Sequence, residues 1–349
     1  MSLLRFPLLL PVLVVSLALP ARAGTIRADR PDEDYVSLAA SASYAAAGKI
    51  EVTGDIPGFI GSGTLVGSSW VLTAAHLLEG ANHATFQVGG NTYTADGWIA
   101  HPGWKGDARK GNDLALMRLS SPVTNIAPVG LYRTKDEFGQ TGVFIGNGRT
   151  GTGDSGAITY DAVPRAGTNT IDGMSVGKKK VYTTKLTKSA KIFIVDFDDP
   201  LQPGKNVVGS AEPTDLEFLI AQGDSGGAVF LPGPSGQPLI AGIHSYGEAP
   251  VGLDDSGYGD VTGHTRVSSY AKWIDKQIKR DRPTFLALPG QAPDPIDRSL
   301  SMADLGLGSS TDYAAALAPS PGGSLPEPTA AATLLLTAAA CSLRRRRHR

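Results

Sequence analysis

Gly223-Asp224-Ser225-Gly226-Gly227 sets one serine among three glycines. A serine hydroxyl is a poor nucleophile at neutral pH, so a site that uses one must supply a base, a group that orients the base, and donors for an oxyanion. The glycines permit a tight turn that exposes the Ser225 hydroxyl, and the amides of Gly223 and Ser225 can converge on one developing negative charge. Working outward, Thr73-Ala74-Ala75-His76 follows the apolar run Trp70-Val71-Leu72. That pattern reads as a buried strand ending in a turn that presents an imidazole, the base. Asn112-Asp113-Leu114-Ala115-Leu116 places one acid at the start of another apolar run. A buried carboxylate there can hold a histidine tautomer and stabilise imidazolium.

Gly153-Asp154-Ser155-Gly156 repeats most of the serine motif, but Ala157 replaces the final glycine. Ser155 follows Asp113 by only 42 residues against 112 for Ser225 and its motif is incomplete, so Ser155 is assigned to a Gly-rich turn. The other histidines, His83, His101, His244, His264 and His348, read as structural or exposed.

In the chain order His76, Asp113, Ser225 and in all three local motifs, the sequence resembles the trypsin/chymotrypsin-like serine proteases. The resemblance implies an all-β fold of two antiparallel β-barrels with the active site between them and a C-terminal helix. It also implies acyl transfer: Ser225 attacks a peptide carbonyl, His76 takes its proton, Asp113 orients His76, and the amides of Gly223 and Ser225 hold the oxyanion. No metal or organic cofactor is implied. Counting back six residues from Ser225 puts the pocket base at Leu219, while Ser245-Tyr246-Gly247 matches the segment that pairs with substrate backbone. The resemblance further implies that Ser245 donates to Asp113. Leucine cannot pair with an Arg or Lys side chain, so the expected pocket prefers small or medium apolar residues before the scissile bond, with Glu217 and Glu248 nearby.

Two departures stand out. The animal members carry cysteines near the histidine and the nucleophile, where this chain has Gly61, Leu77 and Ala221; its single cysteine is Cys341, so no intramolecular disulfide forms. This points to a bacterial origin. The family often activates by inserting a new apolar N-terminus toward the aspartate beside the nucleophile, here Asp224. No Ile-Val pair follows Arg27 or Arg30. Either the oxyanion hole forms without such cleavage or the segment within residues 24–48 is unrecognisable.

The 349 residues are 41% hydrophobic and 19% charged, enough for a substantial core, and 43 Gly with 24 Pro favour turns over long helices. Short apolar runs at 49–52, 63–66, 70–73, 85–88, 98–99 and 114–119 are the expected first barrel, and runs at 142–145, 180–184, 191–197, 228–231 and 239–244, ending near Val267, the second. Val267, Tyr270, Ala271, Ile274 and Ile278 recur at helical spacing behind Ser268 as N-cap. The protease domain is expected over 24–282.

The formal charge of −1 hides basic ends. Two of the 32 Lys and Arg lie in 1–23 and five in 326–349; of the 33 acids only Glu327 lies there, leaving 25 basic against 32 acidic residues in 24–325, a net charge of −7. Such a body argues against nucleic-acid binding. Residues 1–23 read as a secretory signal: Arg5, an apolar run from Phe6 to Leu19, and Ala21-Arg22-Ala23 before Gly24. A retained N-terminal anchor is the alternative. Residues 283–325 form a Pro/Gly/Ser/Ala-rich linker. In 326–349, Pro326-Glu327-Pro328, an apolar run from Thr329 to Leu343 and an Arg-rich end resemble the PEP-CTERM sorting tail recognised by exosortase-type transpeptidases. Fifteen apolar residues span roughly 22 Å as helix against a bilayer core of about 30 Å. That suits a transient membrane contact, a plain tail anchor being the alternative. The expected location is the cell envelope or outer surface of a Gram-negative-type bacterium, and the expected partners are a protein or peptide substrate and the sorting enzyme. A catalytically silent surface binding module with the same fold is the competing reading, and an esterase a further one.

Overall fold

The computed structural model describes residues 23–54, 58–175, 182–185, 187–250 and 256–279. The expected signal segment up to Arg22, the expected linker and sorting tail, and Cys341 lie outside them. Among the described residues no helix is long and apolar enough to cross a membrane.

The chain begins with β1 (Gly24–Ile26) and α1 (Asp32–Ala39). Strict alternation then builds the first half. In β2 (Ala47–Gly54) Gly48, Ile50 and Val52 turn inward while Lys49 and Glu51 stay half-exposed, and in β5 (Ala81–Val88) Ala84, Phe86 and Val88 do the same. With β3 (Phe59–Gly67), β4 (Trp70–Thr73), β6 (Asn91–Ala100) and β7 (Ala115–Leu119) they close an antiparallel barrel in the order β2-β3-β4-β7-β6-β5. Ile50, Leu65, Val71, Phe86 and Met117 fill it. Burying each such side chain contributes about 1.5–3 kcal/mol relative to exposing it.

The second half is built on one large antiparallel sheet, in keeping with the expected second barrel. Its strands are β8 (Thr141–Gly146), β9 (Thr150–Thr152), β10 (Gly156–Thr159), β11 (Arg165–Thr170), β12 (Gly173–Ser175), β13 (Tyr182–Thr183), β14 (Ile192–Asp196), β15 (Phe218–Leu219), β16 (Ala228–Pro232), β17 (Pro238–Glu248) and β18 (Val261–Arg266). Eight of them form an antiparallel sheet, β11-β8-β16-β17-β18-β14-β12-β13, whose ends are brought together because β12 follows β11 after only two residues. The remaining three join β1 in a separate sheet, β10-β9-β1-β15, because β15 spends its backbone hydrogen bonds on β1.

The sequence pattern does not reveal β11, since Arg165-Ala-Gly-Thr-Asn-Thr has no apolar alternation. It is buried through polar contacts instead: Arg165 Nε donates to Asp32 (2.7 Å), and Asn169 Nδ2 donates to the Asp196 carbonyl (2.7 Å). The expected C-terminal helix is α2 (Ala271–Ile278), with Ala271 and Ile274 buried. Ser268 does not cap it; a 3-10 turn over Val267–Ser269 comes first, Tyr270 is the N-cap, and the Ser268 hydroxyl donates to Glu137 (2.6 Å). Val267, Tyr270 and Ile274 seal a cluster that joins the halves, Trp70, Leu72 and Leu114 from the first with Ala228, Phe230 and Ile243 from the second.

Candidate active site

Strand β4 delivers its imidazole as its pattern suggests: it ends at Thr73, and after Ala74 and Ala75 the chain enters the 3-10 turn His76–Leu78. Asp113 enters just before β7 and is wholly buried. The His76 backbone amide donates to Asp113 Oδ1 (3.0 Å), His76 Nδ1–H donates to Oδ2 (2.7 Å), and the Ser245 hydroxyl donates to the same Oδ2 (2.5 Å). Burial works against a charged Asp113, yet the charge and hydrogen bond of His76, with those from Ser245 and the backbone, hold the carboxyl below its ordinary value. Burial likewise opposes protonation of His76, but Asp113 outweighs it and Glu79 adds to the effect, so the imidazole is lifted above its ordinary value. The Nδ1 proton fixes the tautomer, leaving Nε2 to accept a proton.

The serine lies in the turn between β15 and β16. Gly226 has a φ of 82°, and a Cβ there would collide with Thr73 Oγ1 and the Ser62 carbonyl. Only glycine lets this loop press against the strand that carries His76. The Ser62 amide donates to the Ser225 carbonyl (2.7 Å), and the Gly226 amide donates to the His244 carbonyl (2.9 Å), next to Ser245. The loop is thus tied to both halves, to the strand paired with β4 and to the residue before Ser245, which donates to Asp113. Among the described hydrogen bonds none joins the Ser225 hydroxyl to His76; such contacts are commonly long in a free site and tighten around substrate. Neither the Gly223 nor the Ser225 amide donates to any described group. Gly223 has a φ of 95°, and the intervening Asp224 amide turns away to the Ala221 carbonyl (3.0 Å). Two amides on one turn are therefore available to an anion.

The Asp224 carboxylate points inward, accepting from the amides of Gly148 (2.6 Å) and Ala221 (2.7 Å). Burial pushes it up to about 7 against the pull of those amides. Beside this loop lies the segment that could not be read from sequence. β1 inserts between β9 and β15, with Gly24 opposite Thr150 and Thr25 opposite Leu219. It lies upstream of Arg27 and carries no Ile-Val pair, which is why a search beyond the two arginines misses it.

Of the expected substrate-binding residues, Ser245, Tyr246 and Gly247 lie consecutively on β17. A Cβ on Gly247 would meet only Thr262 Cγ2, at 4.0 Å, so its outer side is open to an incoming backbone. Tyr246 is buried beneath the Arg109 guanidinium, 5.8 Å from its ring, and Arg109 Nε donates to Glu248 (2.6 Å). Leu219 is wholly buried in the second core with Ile26 and Tyr35. Ser155 stands in the turn between β9 and β10, where its hydroxyl accepts from the Thr152 amide (2.9 Å). His244 and His264 are core residues joined through their Nδ1 atoms (3.1 Å). His244 Nε2–H donates to the Ile145 carbonyl, so His264 is the donor between the rings; burial holds His244 down to about 3. Among the described residues no group of three or more His, Cys, Asp or Glu could hold a metal ion. Ser62, whose amide holds the Ser225 carbonyl, is a contact that the motif reading passed over, since nothing in sequence marks it.

The family described as Trypsin matches residues 39–193, which include His76 and Asp113. The venom plasminogen activator of Agkistrodon piscivorus leucostoma is 30% identical over 235 residues, covering 63% of this chain and 78% of that protein. The chain belongs to the trypsin family of serine proteases. Other members of the family are longer: the calcium-dependent serine proteinase of Mesocricetus auratus is 29% identical over 61% of this chain and 31% of its own length. Complement C1s subcomponent of Sus scrofa is 28% identical over 63% and 32%. The chain spans about a third of the length of these two relatives. What it shares with trypsin-family proteins is a serine-type endopeptidase domain.

Proposed function

We propose that the protein is an exported serine endopeptidase that hydrolyses peptide bonds through an acyl-enzyme on Ser225. The observation that carries the reading is the Asp113 carboxylate, wholly buried and fully engaged by the His76 amide, the His76 ring and the Ser245 hydroxyl. Burying an acid around a single histidine costs stability unless the pair is hydrogen-bonded, and the bond to Nδ1 leaves Nε2 of that histidine as the base. Ser225 gives up its proton to Nε2 as its oxygen attacks the carbonyl carbon. The amides of Gly223 and Ser225 take the oxyanion, and His76 then returns the proton to the leaving amine. Water repeats the sequence to release the acid. Leu219 offers no charge to an Arg or Lys side chain, so cleavage follows small or medium apolar residues.

Labelling with a fluorophosphonate tests this reading, because the reagent requires an activated serine. Label mapped to Ser225 and lost in Ser225→Ala is expected; an unlabelled protein would favour a silent binding module. A peptide library cut after Arg or Lys but not after Ala, Val or Leu would overturn the specificity. Export with removal of residues 1–23, and processing of the 326–349 tail at the envelope of a Gram-negative-type bacterium, rest on sequence pattern. An intact mass that retains Arg344 to Arg349 in the mature protein would overturn tail processing.

A further inference from the structure

Asn112, the residue before Asp113, has a φ of 69°, a left-handed conformation that is uncommon for any residue other than glycine. It is also 8% exposed, so this backbone is held from within. Its carbonyl accepts from the Leu114 amide (2.9 Å) within the turn, and three further hydrogen bonds come from the other half of the molecule. The Asn112 amide donates to Tyr270 Oη (2.9 Å), Tyr270 Oη–H donates back to Asn112 Oδ1 (3.2 Å), and Lys191 Nζ donates to the same Oδ1 (3.0 Å). Lys191 immediately precedes β14, and Tyr270 is the N-cap of α2. The fit is tight on the neighbouring residue too. Gly111 also lies in the left-handed region (φ 72°), and a Cβ there would lie 2.8 Å from Lys191 Cβ and 3.3 Å from Tyr270 Oη. His101 completes the enclosure, edge-on to the Tyr270 ring at 5.0 Å, with its Nδ1 accepting from the Gly103 amide (3.1 Å).

We propose that Tyr270 and Lys191 are positioning residues for the reaction: by locking Asn112 in its left-handed turn they fix where Asp113 meets His76. The dyad is carried by the first barrel, but its acid is aimed by the second half and the terminal helix. This assignment rests on the Ser-His-Asp reading. The titratable groups around the lock are His101, Lys191 and Tyr270, with His76 and Glu79 on the far side of Asp113. Burial raises Tyr270 to about 12, so its hydroxyl keeps the proton it donates. Burial and the Lys191 charge lower His101, which stays a neutral acceptor.

Two measurements on the full chain separate this proposal from the activity it serves. The first follows the His76 ring titration by NMR in the wild type, Tyr270→Phe and Lys191→Met. Loosening Asp113 weakens what lifts His76 against burial, so its pKa falls in both variants; an unchanged titration in folded variants overturns the proposal even if the protein hydrolyses nothing. The second compares kcat and KM. Tyr270→Phe keeps the ring packed on His101 and lowers kcat about tenfold, the scale of one lost hydrogen bond, with KM unchanged. Should either variant fail to fold, Asn112 provides the check. Asn112→Asp retains the acceptor and tolerates the turn, and stays within a few-fold of wild type, whereas Asn112→Gly retains the turn, loses the acceptor, and shows the full loss. Equal activity in Asp and Gly variants overturns the proposal. A wild type that takes no fluorophosphonate label overturns the protease reading instead.

Discussion

The first barrel and the second half solve burial in opposite ways. The barrel fills itself with Ile50, Leu65, Val71, Phe86 and Met117, and among its described residues Asp113 is the one buried carboxylate. The second half buries Asp172, Asp196, Asp198, Glu217 and Asp224, and encloses the ion pair of Arg266 with Glu137. Its carboxylates take the place of strand ladders: Asp196 accepts the amides of Val207 and Val208, Asp172 that of Ser210, and Glu217 those of Asp198 and Thr214. They pin residues 206–214, a segment with no helix or strand, just ahead of β15 and the nucleophile loop. The lesson is that a buried acid has one meaning next to a base and another next to backbone amides.

Substitution of both kinds of acid sharpens that contrast. Asp113→Asn should lower kcat by roughly 10⁴-fold with little change in unfolding, by the logic of a histidine held in the wrong tautomer; Asp196→Asn should do the reverse. Comparable kcat losses in the two variants would erase the distinction. Next in size is Arg266→Met, which strands Glu137 as an unpaired buried charge and should destabilise the fold by about 3–5 kcal/mol in urea unfolding. A smaller loss would mean that Ser268 alone satisfies Glu137.

The pH dependence tests the cluster more finely. Burial, reinforced by neighbouring charges, raises Asp172 and Glu217 to about 8 and Asp198 to about 7; burial raises Asp196 to about 6. The folded state therefore keeps protons that an unfolded chain, with carboxyls near 4, has already lost. The stability this contributes is full below about pH 4 and is lost as pH rises through 6 to 8. Unfolding midpoints should fall between pH 5 and pH 9, and Asp172→Asn should flatten the slope. Activity runs the other way: with His76 lifted above its ordinary value, kcat/KM should rise with pH through a midpoint above about 6.5. A protein that gains stability up to pH 9 would remove the second half from this account. The smallest effect belongs to the barrel, where Ile50→Val should cost about 0.5–1.5 kcal/mol by the same amount at either pH.

The same contrast explains how far the chain could be read. The barrel strands follow from alternation, visible at Ile50 and Val52 or at Ala84, Phe86 and Val88. β1, β9, β11 and β15 do not, because each is short or polar and is stabilised by partners far away in the chain, as Thr25 is by Leu219. Ser268 looked like a helix cap because its position fits one, yet Glu137 from a distant loop claims its hydroxyl.

Residue type and local spacing determined by themselves that the chain is all-β, that it belongs with the trypsin-like proteases, and that His76, Asp113 and Ser225 are its candidates. A tight glycine turn, a strand-end histidine and an acid ahead of an apolar run are demands met within a few residues. Tertiary structure decided that residues 24–26 become a strand beside the nucleophile loop, and that Tyr270 and Lys191 hold the residue before Asp113. Those outcomes depend on buried hydrogen bonds between groups tens to hundreds of residues apart, and a polar side chain carries no local mark of the partner it will find.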